Sequence, residues 1–241
     1  GTFLKAVKTC FAKANSEDCL LTIGIRPTRP DTGYGYIQFT ESDKKEKDKR
    51  IKKVKTFTEK PDEEMAKFFM KSGDFLWNSG IFIFSADSIT KAFEKHLPEM
   101  AIIFSEGNSF YTTAKERQFL SEAYANCKNI SIDYAIMEKA NNVYVRSSII
   151  GWSDLGTWGS LYTHIKKDKG GNAIVGKNVM MYDSNNCIVN VSKDKLVVIE
   201  GLDDYIVVES DNIILICRKK DEQQIRNFVN DVKVQKGEKF V

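Results

Sequence analysis

Residues 20–37 of this sequence, LLTIGIRPTRPDTGYGYI, decide the fold. The first six of them form a short apolar run that predicts a buried strand. The prolines and glycines that follow break regular structure, so the middle of the stretch is predicted to be a loop. Glycines in such a loop allow backbone N–H and C=O groups to approach a ligand closely. The stretch therefore predicts a strand followed by a ligand-binding loop.

The segments around this stretch alternate between strand and helix patterns. Helical spacing of apolar residues predicts helices at residues 2–15, 62–72, 112–126 and 132–139, and Ser85 begins another. Short apolar runs predict strands at residues 34–39, 51–57, 81–84 and 143–145. The first two of these strands are expected to pair across a charged, solvated hairpin tip at residues 41–50. The alternation predicts an α/β layer structure with a mainly parallel sheet.

The pattern changes near residue 166. Beyond it, short β-rich runs separated by turn clusters begin every 7 to 10 residues, at 179–182, 188–191, 196–199, 206–208 and 213–217. This spacing predicts a small coiled or layered β unit, closed by a helix at residues 221–232. We therefore predict two domains, residues 1–165 and residues 166–241.

The composition narrows the class of protein. Hydrophobic residues make up 42% and charged residues 29%, as in soluble globular chains. The apolar runs are far shorter than the ~20 residues of a membrane span. A net charge of +3 is too close to balance for nucleic acid to be the main partner. The sequence therefore predicts neither a membrane protein nor a nucleic-acid-binding protein.

The five cysteines are odd in number and widely spaced, and the two histidines lie far apart. This pattern gives little support to a disulfide framework or a zinc site and favours reduced thiols in a cytoplasmic protein. A Cys-His nucleophile pair stays open.

Three further stretches are rich in chemical groups. Glu59-Lys60-Pro61 ends a strand with an acid beside a base, and Asn78 precedes a predicted buried strand. Asp154 stands at a predicted helix start. Taken singly, Glu59 and Lys60 are more often a surface pair, and a residue such as Asp154 is more often an N-cap than a metal ligand.

Together, in this order and spacing, these stretches resemble the sugar-nucleotidyltransferase family, in particular its mannose-1-phosphate guanylyltransferases. The resemblance covers essentially the whole chain. The loop at residues 27–37 and the segment SIDYAIMEK at residues 131–139 discriminate best. Glu-Lys-Pro and Asn-Ser-Gly-Ile-Phe are shared more widely among pyrophosphorylases that act on sugar 1-phosphates.

The resemblance implies a fold and a reaction. The fold is a truncated Rossmann-like nucleotidyltransferase sheet with a small C-terminal β-helix-like domain used for homodimer contacts. The reaction transfers a guanylyl group from GTP to mannose 1-phosphate, giving GDP-mannose and pyrophosphate. Because the attacking phosphate oxygen is already ionised, such a site needs positioning and charge neutralisation rather than a strong base.

The resemblance also implies roles for individual residues. Lys60 contacts the sugar phosphate, Glu59 accepts hydrogen bonds from sugar hydroxyls, and Asn78 and the backbone at Gly35 read other hydroxyls and the ring. Asp154 holds Mg²⁺, a hard cation that prefers carboxylate oxygen, and acts with Lys60 as a catalytic residue.

Two assignments stay open at this point. Asp133 either lines the sugar pocket or caps its helix. Arg26 and Arg29 either meet phosphate or form surface ion pairs.

One part of the family pattern is absent. The 241 residues contain neither a Gly-rich nucleotide loop ending in Arg and Pro nor the family's Asp-His metal pair. We expect that roughly the first hundred residues of the complete enzyme are missing, about the length of a nucleotide-binding half. Alternatives are a nucleotidyltransferase for another hexose 1-phosphate or base, and a non-catalytic regulatory or assembly subunit.

Overall fold

The computed structural model describes residues 1–42, 44 and 46–240, which form two compact units, Gly1–Trp152 and Ser153–Val241. The second unit includes a segment that precedes the predicted boundary near residue 166. Trp158 and Tyr162 in that segment pack against Ile188 and Ile206 of the β-rich part. A compact unit and a sequence domain need not end at the same residue, so the predicted boundary stays a prediction.

Within the described residues of the first unit, five strands close on themselves in the order β1-β4-β2-β3-β5. The strands are β1 Leu20–Ile25, β2 Tyr36–Phe39, β3 Ile51–Thr58, β4 Phe75–Ile83 and β5 Val143–Ser148. Among these strands only β1 and β5 pair in parallel. The predicted mainly parallel sheet is therefore wrong. In the part of the chain that the structure describes, no helix separates β1, β2 and β3, and parallel pairing needs a long crossover that short loops do not supply.

The helices of the first unit lie close to the predicted segments. They are α1 Thr2–Ser16, α2 Glu63–Ser72, α3 Ala86–His96, α4 Pro98–Ser105 and α5 Glu116–Asn126. A π-helical turn, Asp133–Met137, replaces the regular helix predicted at residues 132–139. The end signals of α2 act as predicted: Asp62 accepts the N–H of Met65 at 2.8 Å, and Gly73 follows in the left-handed region at φ 79°. Helix α4 was not predicted.

Of the described residues at 41–50, five are exposed and three half-buried, as expected of a charged, solvated tip. Asp43 and Lys45 of this segment lie outside the described residues. Glu46 pairs with the buried Lys13 at 2.8 Å, and Asp48 pairs with the buried Arg146 at 3.1 Å. These ion pairs fasten the hairpin onto α1 and β5, because a buried cation requires a paired acid.

The second unit is built mainly from parallel strands. The strands are β6 Ala173–Val175, β7 Asn178–Tyr182, β8 Ile188–Asn190, β9 Leu196–Glu200, β10 Tyr205–Ser210 and β11 Ile213–Arg218. Pairs β6–β8, β8–β10 and β7–β9 are parallel, and β10–β11 is antiparallel. The five predicted β runs are confirmed, whereas β6 was not predicted. Two helices, α6 Trp158–His164 and α7 Ile225–Lys236, flank the strands in sequence.

None of the helices in the described residues is long and apolar enough to cross a membrane.

Candidate functional site

The strand register of the first unit aligns three of the predicted site residues. Tyr36 of β2 lies opposite Thr58 of β3 and Trp77 of β4. The next position along each strand brings Gly35 beside Glu59 and Asn78, and the Asn78 N–H donates to the Gly35 carbonyl at 2.8 Å. One row across three neighbouring strands therefore presents a backbone group, a carboxylate and an amide.

Gly35 is tightly enclosed in this row. A Cβ atom added there would lie 2.5 Å from Glu59 Oε2 and 3.5 Å from Asn78 Cβ. The glycine allows the Glu59 carboxylate to pack directly on the backbone, as expected for a close-approach position.

Asn78 lies inside β4, not before it as predicted. The β1–β4 register shifts between Thr22, which faces Phe82, and Gly24, which faces Asn78. Extra residues of β4 bulge out at this point, and Ser79 Oγ holds the bulge by donating to the Ile23 carbonyl at 2.6 Å. Bulges redirect side chains and are frequent next to active sites.

Asp133 joins the row from the π-helical turn. Its Oδ1 accepts a hydrogen bond from Asn78 Nδ2 at 2.7 Å, and its side chain forms no cap of the turn. The interpretation of Asp133 as a helix cap is therefore wrong. The segment at residues 131–139 thus reaches the same site as the loop before β2.

Lys60 lies next to this row and is ion-paired with Glu59. Its side chain is 39% exposed, whereas that of Glu59 is 18% exposed. The Lys60 backbone has a φ of 48°, an uncommon conformation for a residue with a side chain. Such conformations cluster at functional sites.

Burial and neighbouring negative charges raise the pKa of two carboxyl groups at this site, those of Asp133 and Glu138. The pKa of Asp133 is raised first by burial and then by the charge of Glu59, while the Asn78 hydrogen bond and Lys60 oppose the rise. The pKa of Glu138 is raised by burial and by the charges of Asp133 and Glu59. The site is therefore an acidic patch in which Lys60 acts on Asp133 and Lys139 acts on Glu138.

The loop before β2 is held by its own side chains. Arg29 pairs with Asp31 and lies over the rings of Tyr34 and Trp77, 5.7 and 5.4 Å from their centroids. Tyr36 Oη donates to the Asp31 carbonyl at 3.0 Å. The structure shows the Arg29 ion pair, which braces the loop, and contact of Arg29 with phosphate stays a prediction.

Asp154 lies in the second unit, in the turn before α6. Thr157 is the N-cap of α6, so the interpretation of Asp154 as the cap is wrong. Asp154 Oδ1 instead accepts the Gly156 N–H at 2.8 Å. Among the described residues no group of three or more His, Cys, Asp or Glu side chains could hold a metal ion. Mg²⁺ usually binds one or two carboxylates together with waters and substrate phosphates, and the single carboxylate of Asp154 fits part of such a site.

Two neighbours of the predicted residues were missed by sequence reasoning. Glu138 adds negative charge to the site, and Thr22 donates to Asn78 Oδ1 at 3.1 Å. For Thr22 a signal existed, because it is the one hydroxyl in the otherwise apolar run of β1. Glu138 lies within residues 131–139, the segment that carries part of the family resemblance.

The arrangement suits a polyhydroxylated anionic ligand. Carboxylates, an amide and a backbone group match the donors and acceptors of sugar hydroxyls. A lysine at the edge of the acidic patch matches a phosphate held away from it, since like charges repel.

Comparison with known proteins shows which families this chain resembles. Residues 2–170 match the family model described as nucleotidyl transferase, and residues 177–232 match a MannoseP isomerase/GMP-like beta-helix domain. A mannose-1-phosphate guanylyltransferase from Escherichia coli is 32% identical over 95% of this chain and 49% of its own length. The alginate biosynthesis protein AlgA from Pseudomonas fluorescens is 36% identical over 88% of this chain and 43% of its own. The chain thus spans about half the length of these curated relatives.

The solved structures extend the likeness to both units. The crystal structure of mannose-1-phosphate geranyltransferase from Thermus thermophilus has a TM-score of 0.76 and 28% identity, covering 96% of this chain and 65% of that one. The family model covers more than half of the 241 residues, and the predicted fold, a nucleotidyltransferase sheet followed by a β-helix-like domain, is confirmed. This chain belongs to the nucleotidyl transferase family.

Proposed function

We propose that this chain forms the sugar-phosphate side of a mannose-1-phosphate guanylyltransferase. The complete reaction transfers a guanylyl group from GTP to mannose 1-phosphate and releases pyrophosphate, leaving GDP-mannose. The observation that carries the proposal is the convergence of Gly35, Glu59, Asn78 and Asp133 with Lys60 beside β2, β3 and β4. The names of the relatives favour mannose over other hexoses and guanine over other bases.

The proposed reaction does not require a strong general base. An oxygen of the sugar phosphate attacks the α-phosphorus of GTP, a new P–O bond forms, and the bond to pyrophosphate breaks. The nucleophile is already an anion, so the barrier falls mainly through in-line positioning and neutralisation of negative charge. The acidic site with Lys60 beside it fits this division of labour, because hydroxyl recognition and phosphate binding use different groups.

In this proposal Lys60 exchanges one anion for another. Its ammonium group contacts Glu59 in the free protein and moves to the phosphate of the bound sugar. Glu59 is then free to accept a hydrogen bond from a sugar hydroxyl. The binding of phosphate and the release of the carboxylate are thereby coupled.

We assign Mg²⁺ to Asp154 on the chemistry of its carboxylate. When bound, the ion neutralises phosphate charge during the transfer. Asp154 is held for this role by its hydrogen bond to the Gly156 N–H, which fixes the orientation of the carboxylate.

The experiment is a calorimetric titration of the chain with mannose 1-phosphate and, separately, with glucose 1-phosphate. We expect measurable heat with mannose 1-phosphate and weaker binding of glucose 1-phosphate. Tighter binding of another hexose 1-phosphate would indicate a nucleotidyltransferase for that sugar. Negligible heats with both ligands would contradict the assignment of the pocket.

A parallel assay follows pyrophosphate exchange with GTP and Mg²⁺. Because the 241 residues contain no Gly-rich nucleotide loop, we expect no turnover from this chain alone. Sugar-phosphate binding without exchange also agrees with a binding-only subunit. Exchange restored by adding a protein that carries the Gly-rich loop would separate the catalytic proposal from that alternative.

We also propose a homodimer formed through the second unit. Its strands expose apolar side chains around a groove of ≈ 480 Å³: Leu196 is 67% exposed, Val198 57%, Ile214 69% and Ile216 56%. Exposed apolar patches of this kind mark interaction sites. Sedimentation velocity should show a dimer that Ile214→Lys dissociates, whereas Ile149→Lys in the first unit leaves it intact. A monomeric unsubstituted chain would contradict the proposal.

The state of the cysteines bears on the cellular compartment of the protein. All five lie among the described residues and are free thiols, and four of them are buried. Free thiols are typical of a reducing compartment, which supports the proposal of a cytoplasmic protein.

A further inference from the structure

Thr22 places a hydroxyl where the core does not need one. It lies in the middle of β1, fully buried, between the fully buried Leu21 and Ile23. A valine would have the same shape and would bury no polar atom, and a buried hydroxyl costs free energy unless it is hydrogen-bonded. The Thr22 hydroxyl donates to Asn78 Oδ1 at 3.1 Å, which links it to the candidate site.

Both the oxygen and the nitrogen of the Asn78 side-chain amide form hydrogen bonds within the protein. Its Oδ1 accepts from Thr22 Oγ1 and from the Gly80 N–H, each at 3.1 Å, and its Nδ2 donates to Asp133 Oδ1 at 2.7 Å. A side-chain amide oxygen accepts two hydrogen bonds and the nitrogen donates two. Reversing the amide would turn its NH₂ group toward the Gly80 N–H and its oxygen toward the Asp133 carboxylate. The observed orientation is therefore the one that the surrounding groups favour.

We propose that Thr22 is a positioning residue that fixes the orientation of the Asn78 amide for ligand recognition. With Oδ1 occupied by two protein donors, Asn78 offers a ligand only an N–H, beside the acceptor carboxylate of Asp133. One sugar hydroxyl satisfies both groups by accepting from Asn78 and donating to Asp133. The selection of a hydroxyl rests on the proposed function, whereas the orientation of the amide does not.

The orientation is tested first without ligand. In ¹⁵N-correlated NMR spectra, the side-chain NH₂ signals of Asn78 are identified by their loss in Asn78→Asp. We expect Thr22→Val to shift or broaden this pair and Thr22→Ser, which keeps the hydroxyl, to restore it. Thr56→Val, the same change at an exposed position of β3, is the matched control. An unchanged Asn78 pair in Thr22→Val would overturn the proposal whether or not the chain binds a sugar.

The second test measures binding of mannose 1-phosphate by calorimetry. Thr22→Val should weaken binding by about threefold to tenfold, the effect of one neutral hydrogen bond, and Thr22→Ser should restore it. In an Asn78→Ala background, Thr22→Val should have no further effect, since Thr22 acts through Asn78. Additive losses would assign Thr22 a merely structural role. If the unsubstituted chain binds no sugar phosphate, the proposed function fails, while the NMR result still decides the role of Thr22.

Discussion

At the residue scale, the proposed exchange of Lys60 between Glu59 and a phosphate rests on how this lysine is held. The residue after it is a proline, its backbone has a φ of 48°, and its ammonium group lies on Glu59. The residue before a proline normally prefers extended conformations, so this backbone is held by its surroundings. The consequence is a lysine kept at the edge of the acidic site and only partly exposed.

We expect Lys60→Ala to lower the affinity for mannose 1-phosphate by about 10- to 100-fold, the loss of one charge-assisted phosphate contact. The free energy of unfolding should change by less than about 1 kcal/mol, because exposed ion pairs contribute little. Calorimetry and urea denaturation measure the two effects. Lys67→Ala, an exposed lysine paired with Glu63 on α2, is the matched control and should change neither. A large loss of stability with unchanged binding would return Lys60 to a structural role.

Asp133 should make stability depend on pH. Its pKa in the folded protein lies above its ordinary value of 3.8, so the ionisation of Asp133 lowers the stability of the unsubstituted chain as the pH rises from 3.8 to the raised pKa. Asp133→Asn removes that loss. The stability of the variant relative to the unsubstituted chain should therefore increase with pH and then level off, as measured by urea denaturation in a pH series.

The same comparison in a Glu59→Gln background tests the cause of the raised Asp133 pKa. The charge of Glu59 contributes to the raised pKa of Asp133, so the pH-dependent difference should be smaller when Glu59→Gln is present in both proteins. A difference between Asp133→Asn and the unsubstituted chain that does not vary with pH would contradict the account.

At the scale of elements, local sequence signals predicted which helices and strands form. They did not predict how the strands pair. The cap and stop residues of α2 and the apolar runs of the β-rich part act within a few residues, so the sequence displays them. Strand pairing depends on residues far apart in the chain. The antiparallel neighbours of β4 were not predicted because alternating strands and helices are typical of parallel sheets.

The hairpin between β2 and β3 offers an element-scale prediction through Asp48. Hydrogen bonds from Arg50 and the charge of Arg146 lower the pKa of Asp48 to about 2. Because Arg146 is only 2% exposed, Asp48→Asn leaves a buried cation without its carboxylate. We expect it to destabilise the chain by about 3 kcal/mol at pH 7. Arg50→Met, which removes the 54%-exposed partner, should cost less than about 1 kcal/mol.

The pH dependence of the Asp48 effect has a defined sign. A carboxyl whose pKa is lowered in the folded state adds stability above its ordinary value of 3.8 and loses that contribution as the pH falls toward 2. The difference between Asp48→Asn and the unsubstituted chain should therefore shrink on acidification. Equal destabilisation at about pH 7 and in acid near the lowered pKa, measured by urea denaturation, would show that the ion pair is not its cause.

At the scale of the whole molecule, the sequence predicted which residues form the candidate site. It did not predict how these residues are arranged in space. Gly35, Glu59, Lys60, Asn78 and Asp133 come together in the first unit because the sheet closes in an order unlike the chain order. The bulge that turns Asn78 toward Asp133 depends on the β1–β4 register, which no local pattern reveals. Their roles in binding stay predictions, as does the metal role of Asp154.

The most direct test of the central claim is a crystal structure of the chain with mannose 1-phosphate bound. We predict sugar hydroxyls within about 3 Å of the side chains of Glu59, Asn78 and Asp133, the usual distance of a hydrogen bond. We also predict that Lys60 Nζ has left Glu59 and contacts the phosphate. A sugar phosphate bound away from this row of residues, or a phosphate that leaves the Lys60–Glu59 pair intact, would contradict the account.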